Sequence, residues 1–451
     1  MRLKQSTLFM KRSIYINRRM HKDFAFTQNR NVRFGDIRVV SDSNFEPDKE
    51  VSVEELTRNI SYDGPADEYD EENFHYQLKP LMLMLRVLGI FPVEISKSGV
   101  PKFKVLSPTL AYSICFYVLV NITTYCSVRY GILKLFMNEE DFENLIYAVM
   151  LVVICINVVC VPVLAWFDAP KVVQYFDKWA KFQALFVRIT KEHVVLNYRR
   201  RSVFVIVAVL FANMVVYLIH VFPPYLEHWQ LLCYYVSALL ISNIASMWTY
   251  MIGSLNKSAR ALNKCFKRDI KKRNLSADLI GEYRILWLRW SQLVSEIGCM
   301  MGKVFGFYFI LLLFTITFAL FACLSDINEN NFAFYRIALT TTTCFVCIIA
   351  LYNICNEAHF ISNVVGIEIR DELQLIAPYE VNEHVSQEIN LFLKTIVMNP
   401  PAVSVAGFTV VNRGLFRAYA STIVTYMIVL EQIDQSGHSD ICSGNDTIQA
   451  T

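Results

Sequence analysis

Charge is what this sequence is short of. Asp, Glu, Lys and Arg make up 18% of its 451 residues against 54% hydrophobic ones, so the usual quarter of charged residues that solvates a globular surface is missing. That deficit argues against an ordinary soluble protein and points to lipid as the solvent. Cysteine is scarce wherever a disulfide could form. Of twelve cysteines only Cys442 falls in a segment expected to be exposed outside, which argues against a disulfide-stapled ectodomain. The amino-terminal stretch has no continuous apolar core followed by a small-residue cleavage site, so no cleaved signal peptide is expected and insertion falls to the first span. The eight histidines are scattered along the chain, whereas zinc hydration chemistry needs three converging ligands and an open position. Cys344 and Cys347 form a C-x-x-C, but inside an apolar span without redox or zinc context. No enzyme, metal, cofactor or nucleic-acid partner is therefore expected.

What the sequence has instead is long apolar runs. Crossing a hydrocarbon core of roughly 30 Å takes about twenty helical residues. Six segments qualify without a single Asp, Glu, Lys or Arg: Val105 to Val128, Leu145 to Phe167, Ser202 to Leu226, Trp229 to Asn256, Val304 to Ser325 and Ile337 to Asn356. A seventh, ending near Gln432, is weaker. Lys and Arg number 17 before the first span, 2 between the first and second, 8 between the second and third, and 11 between the fourth and fifth. By the positive-inside rule this alternation places the amino terminus inside and, after seven spans, the carboxy terminus outside. The outer segments are acidic, with Glu139, Glu140, Asp141, Glu143, Glu227, Asp326, Glu329 and Asp434. Such a field would concentrate cations; it is equally what an ordinary solvated face looks like.

The expected fold is all-α: seven transmembrane helices in inverted topology, with a cytoplasmic helical domain made by extended helices. Residues 1–75, basic at first and acidic from Asp63 to Glu72, read as a disordered cytoplasmic tail. Residues 76–104 form a juxtamembrane segment in which Leu78, Leu81, Met82, Leu85 and Leu88 share one helical face at the inner interface. Helices one to four occupy 105–256, a cytoplasmic helical loop 257–302, helices five and six 303–356, a second cytoplasmic helical segment 357–402, the seventh helix 403–433 and an extracellular tail 434–451. Asn399, Pro400 and Pro401 break the chain ahead of the last helix. Among the glycosylation sequons only Asn445 is expected outside.

The last helix is the odd one. Only 13 uncharged residues separate Arg417 from Glu431, about 20 Å of helix, too short to cross lipid unaided. Stepping back from Gln432 by helical spacing meets Ile428, Thr425, Ser421 and Ala418, a narrow small-to-polar stripe. It could line a pore, since intramembrane polar groups tend to mark pathways, or let helices approach closely, which is the commoner use of small residues in membranes.

The segment TYMIVLEQ, Thr425 to Gln432, resembles the Thr-Tyr, five-apolar, Gln-Phe signature that ends insect gustatory receptors. Further segments resemble the carbon dioxide receptor branch of that family: PLMLMLRVLGIFP (Pro80 to Pro92), YRILWLRW (Tyr283 to Trp290), YNICNEAHF (Tyr352 to Phe360), EINLFLKTIVMNPP (Glu388 to Pro401) and VNRGLF (Val411 to Phe416). The resemblance implies a tetrameric ligand-gated cation channel in the plasma membrane of sensory neurons, built from homologous subunits around a central pore lined by each last helix. It would place Gln432 at the pore constriction, with Thr425 and Tyr426 opening the pore-facing signature. Two positions depart from the pattern: Glu431 replaces an apolar residue of the run, and Ile433 stands where Phe is usual. The ligand site implied lies among the outer halves of the first six spans, which here supply Tyr217, His220, Tyr234, Tyr235, Thr317, Arg336 and Thr340. Carbon dioxide needs few hydrogen bonds; bicarbonate would need a cation such as Arg336 or His220. Against these roles, Arg336 can snorkel to the interface and Thr340 can bond the carbonyl one turn back. The rival readings are a gustatory receptor for sugar or bitter compounds, a G-protein-coupled receptor, which needs the opposite orientation and Asp-Arg-Tyr and Asn-Pro-x-x-Tyr motifs that are absent, and a transporter, whose paired broken helices are not seen.

Overall fold

The computed structural model describes residues 74–95, 101–104, 107–129, 142–221, 231–272, 275–328, 334–362, 366–376, 382–405 and 407–448. The amino-terminal tail lies outside the described residues, and the side chains of the acidic positions named for the outer segments lie outside the described ones. The described chain is helical apart from two small antiparallel ribbons. Helix α1 (Phe74–Val87) is followed by strands β1 (Val93–Ile95) and β2 (Pro101–Phe103), then α2 (Pro108–Ser127), α3 (Phe142–Thr190), α4 (Arg199–Val221), α5 (Leu231–Lys272), α6 (Ala277–Met300), α7 (Gly302–Asn328), α8 (Phe334–Phe360), α9 (Gly366–Leu375) and α10 (Glu383–Met398). A second ribbon, β3 (Ser404–Val405) with β4 (Thr409–Val410), leads into α11 (Arg413–Ile448).

By length and composition five helical stretches among the described residues can cross a membrane: Pro108–Ser127, Ala148–Thr190, Leu232–Lys271, Gly302–Ser325 and Thr340–Phe360. They coincide with the first, second, fourth, fifth and sixth spans expected from sequence. The third, α4, opens on Arg199, Arg200 and Arg201 and is described only to Val221, and α11 is too polar; neither is among the five.

Several helix starts follow from local chemistry. Ser107 caps α2 by accepting the amide of Leu110 at 3.2 Å, with Pro108 in the first turn where its missing N–H costs nothing. Ser276 does the same for α6 through Leu279, also at 3.2 Å, and Asp278 adds favourable charge there. Helix α7 is capped from elsewhere. Asp168, fully buried on α3, accepts the amides of Lys303 at 3.1 Å and Val304 at 3.4 Å, answering two of the unpaired N–H groups at that helix start.

That contact explains why α3 does not end where its apolar run ends. The sequence places a boundary at Phe167 because charge follows. The helix instead runs on to Thr190, 49 residues in all with Pro162 and Pro170 inside it, because Asp168 is consumed by the α7 cap and by Lys171 at 3.4 Å. Helix α5 likewise runs 42 residues, well past its apolar part. These extensions, with α1, α6 and α10, make a helical layer beyond the apolar parts of the helices. Its core is aromatic: Phe74 of α1 stacks on Trp179 of α3 with centroids 4.2 Å apart, Trp287 lies 4.9 Å from Trp290, and Phe266 of α5 packs edge-on against Tyr283 of α6 at 5.1 Å and Phe392 of α10 at 6.1 Å. The apolar face of α1 read from the sequence is thus covered by protein, with Leu78, Leu81 and Leu85 buried. Polar ties lace the layer. Tyr283 donates to Asp269 at 2.7 Å, and burial together with that carboxylate raises its phenol above the ordinary range. Arg284 reaches Glu388 at 3.3 Å and Lys267 reaches Glu372 at 2.7 Å.

The β3–β4 ribbon connects this layer to the last helix through one tight approach. Gly298 of α6 lies so close to β3 that a Cβ there would stand 1.6 Å from the carbonyl oxygen of Ser404. Only glycine fits that spacing. Replacing Gly298 with Val should therefore push the ribbon off α6 and cost about 1–3 kcal/mol of stability, as overpacking does. A lowered thermal midpoint of the purified protein, without any comparable fall in Gly281→Ala on the same helix, where a Cβ would meet only Glu388 Oε2 at 3.7 Å, is the expected result.

Candidate pore face and ligand site

Helix α11 begins where the side chain of Asn412 accepts the amide of Leu415 at 3.0 Å. Its first residue is held from α8: Asn356 Oδ1 accepts both Arg413 Nη2 at 2.7 Å and Arg413 Nε at 3.0 Å. One turn on, Phe416 meets the ring of Tyr352 edge-on at 5.6 Å, and Tyr419 lies against Phe309 of α7 at 6.3 Å while donating its hydroxyl to the Phe309 carbonyl at 3.3 Å. Continuing by threes and fours, Ile423 and Met427 complete the seam against α7 and α8.

Among the described contacts, the stripe on the opposite side of α11 has no comparable seam. Ala418, Ser421, Thr425, Ile428 and Gln432 are all exposed, as are Tyr426, Glu431 and Ile433, with Ile428 at 55%, Tyr426 at 52% and Ile433 at 47%. The Thr425 hydroxyl donates to the Ser421 carbonyl at 3.0 Å, so the helix satisfies that donor itself. The helix does not stop at Gln432 but continues to Ile448. Small residues that served close packing inside the subunit would be covered by a neighbouring helix of the same chain; these are not.

Among the ligand residues named from sequence, the described side chains are those of Tyr234, Tyr235, Thr317 and Thr340. Thr317 is buried and donates to the Leu313 carbonyl at 2.8 Å; Thr340 is buried and donates to Ile337 at 3.2 Å, so both hydroxyl protons are engaged by backbone. Tyr234 and Tyr235 are half-buried on α5. Tyr217, His220, Arg336 and Asn445 lie on described helices, but their side chains are outside the described ones. None of the seven lines the larger described cavity, of about 640 Å³, which opens at the other end of the bundle between α4, α5 and α8 beside Arg201, Phe204, Asn256, Lys257, Arg260 and Glu357.

Sequence reasoning missed the Asn356–Arg413 clasp, although both residues sit in quoted segments. Those segments prove to be contact partners. YNICNEAHF meets VNRGLF through Asn356–Arg413 and Tyr352–Phe416, and YRILWLRW meets EINLFLKTIVMNPP through Arg284–Glu388. Their shared signal is that two distant stretches matched one family together.

A bundle of this kind, with apolar helices extended into a polar helical layer and a final half-packed helix, defines a polytopic membrane receptor fold. Residues 78–437 match the 7tm chemosensory receptor family, and the chain belongs to it. It is 29% identical over 359 residues to Gustatory and odorant receptor 24 of Anopheles gambiae, covering 79% of this chain and 78% of that one. It is 24% identical over 396 residues to Gustatory and odorant receptor 22 of the same mosquito, covering 86% and 84%, and 24% identical over 385 residues to Gustatory and odorant receptor 21a of Drosophila melanogaster, covering 84% of each. The fold is similar to that of the insect olfactory receptor OR5 from Machilis hrabei, with a TM-score of 0.56, 15% identity, and coverage of 81% of this chain and all of that one. The chain is thus a multi-pass chemosensory receptor of the insect gustatory and odorant kind rather than an enzyme.

Because Arg413 and Asn356 form a charge-assisted pair at the root of α11, Arg413→Ala and Asn356→Ala should each lower the thermal midpoint. The double variant should lose less than the two single losses added together, with a coupling of about 1 kcal/mol. Strict additivity would show that the clasp contributes nothing.

Proposed function

We propose that this receptor is a subunit of a ligand-gated cation channel in the plasma membrane of sensory neurons, assembled as a tetramer with homologous subunits and opened by carbon dioxide or bicarbonate. The observation that carries the channel reading is the uncovered face of α11. A helix with 13 uncharged residues between Arg417 and Glu431 is too short for lipid alone, and its small-to-polar stripe is left open by its own subunit. Four such faces around an axis would shelter one another and enclose water, with the Gln432 amides at the narrowest point, where amide oxygens can replace part of an ion's hydration shell.

Glu431 adjoins that point and is exposed; a ring of carboxylates there would favour cations. With the amino terminus inside, the acidic outer segments would add to the same field and Asn445 would be accessible to glycosylation. Carbon dioxide as the stimulus rests on the five segments that resemble that branch, two pairs of which meet in the fold. The relatives' names speak only of gustatory and odorant receptors.

Electrical recording tests both parts. Co-expressed with its homologous partner subunits, the chain should give inward cation currents to carbon dioxide pulses at fixed pH, and Gln432→Ala should change conductance or gating at unchanged surface expression. Currents that respond only to sugars or bitter compounds would remove carbon dioxide as the stimulus, and currents indifferent to Gln432→Ala would remove that residue from the constriction.

A further inference from the structure

The cavity between α4, α5 and α8 has a chemistry that the pore and the stimulus do not use. It lies where the apolar part of three helices gives way to the polar helical layer: Arg201 belongs to the basic start of α4, Lys257 and Arg260 follow the apolar part of α5, and Glu357 follows that of α8. Three cations thus face one carboxylate in a space of about 640 Å³. Glu357 is already engaged, accepting the Asn256 amide at 2.7 Å. The same bond leaves Asn256 Oδ1, buried on a side chain only 5% exposed, with no hydrogen-bond partner, an acceptor awaiting a hydroxyl or ammonium. Lys257 is fixed over the ring of Tyr198 at 3.7 Å and bonded to the Leu196 carbonyl, and Arg260 lies 4.6 Å from the ring of Phe360. Two of the cations are therefore held in place by aromatic rings, with no carboxylate bonded to either among the described contacts. On the outer wall Phe204, 73% exposed on α4, continues the cavity as an apolar surface.

We infer that this cavity holds the headgroup of an anionic phospholipid, its phosphate between Arg201, Lys257 and Arg260, its hydroxyl groups within reach of Asn256, and its acyl chains along Phe204. Cationic pockets between membrane helices at the level of the headgroups are the expected sites for such lipids, each near-surface cation adding a favourable increment. The volume exceeds what bicarbonate or a single inorganic anion would fill, and the mixture of fixed cations, an open acceptor and an apolar outer wall suits an amphiphile. The inference rests on the membrane placement of the bundle and is independent of which stimulus opens the channel. Because the site joins α4 and α5 to α8, whose end also clasps α11 through Asn356, a bound lipid would brace the root of the pore helix.

Binding, rather than current, tests it. The purified full-length protein would be placed in phosphatidylcholine nanodiscs with and without phosphatidylinositol bisphosphate, and retained lipid quantified by native mass spectrometry beside the thermal midpoint. Wild type should retain the anionic lipid and gain thermal stability from it. Arg201→Gln combined with Arg260→Gln removes two cations but leaves Lys257 and its aromatic contact, and should bind roughly thirtyfold more weakly. Its midpoint in phosphatidylcholine alone, equal to wild type, verifies folding; a fall there directs the measurement to Arg201→Gln alone, with a proportionally smaller loss expected. Equal retention of the anionic lipid by wild type and variant would overturn the proposal. So would equal stabilisation by soluble inositol trisphosphate, which would make the site one for a free phosphate compound, or retention of phosphatidylcholine to the same degree.

Discussion

The channel proposed for this receptor depends on its last helix being packed along one side only. Leu415, Phe416, Tyr419, Ile423 and Met427 tie α11 to α7 and α8, while Ser421, Thr425, Ile428 and Gln432 on the other side stand exposed among the described residues. A helix so divided is an incomplete solution to burial in lipid. Its uncovered side combines small and polar groups that hydrocarbon does not satisfy, and its apolar stretch is short. In the proposed channel, symmetric association of four subunits would resolve both problems at once and enclose water by doing so.

The remaining architecture holds that helix at a fixed height and angle. The Asp168 carboxylate caps α7 from α3, the Asn356–Arg413 clasp fixes the root of α11 to α8, and the β3–β4 ribbon that feeds α11 rests against Gly298 of α6. Each contact joins an apolar helix to the polar helical layer or to the last helix. Asn356 and Tyr352 are the described side chains through which α8 meets the root of α11. The helical layer around Trp179, Trp287 and Trp290 is densely packed with aromatic rings.

Much of this was legible in the sequence because lipid leaves a strong compositional mark. The uncharged runs gave five of the spans, and the Leu78, Leu81 and Leu85 periodicity gave the buried face of α1. The stripe from Ala418 to Gln432 was visible as spacing, but whether it packs or stands open is decided by neighbouring helices, not by period. The continuation of α3 past Phe167 was not legible, because Asp168 and Lys171 read as solvent-exposed charge until α7 supplies amides to one of them. The clasp of Asn356 with Arg413 joins residues 57 apart, and no local pattern marks it. Thr340 bonds the Ile337 carbonyl on its own helix, the alternative its sequence already offered, and Thr317 does the same with Leu313.

The claim that the open face of α11 lines a water-filled pathway is tested most directly by substituted-cysteine accessibility along that helix in the assembled channel. Single cysteines at Ser421, Thr425, Ile428 and Gln432 should be modified by a charged thiol reagent with loss of current, while cysteines at Tyr419, Ile423 and Met427 should not react. Protection of the first set together with reaction of the second would contradict it.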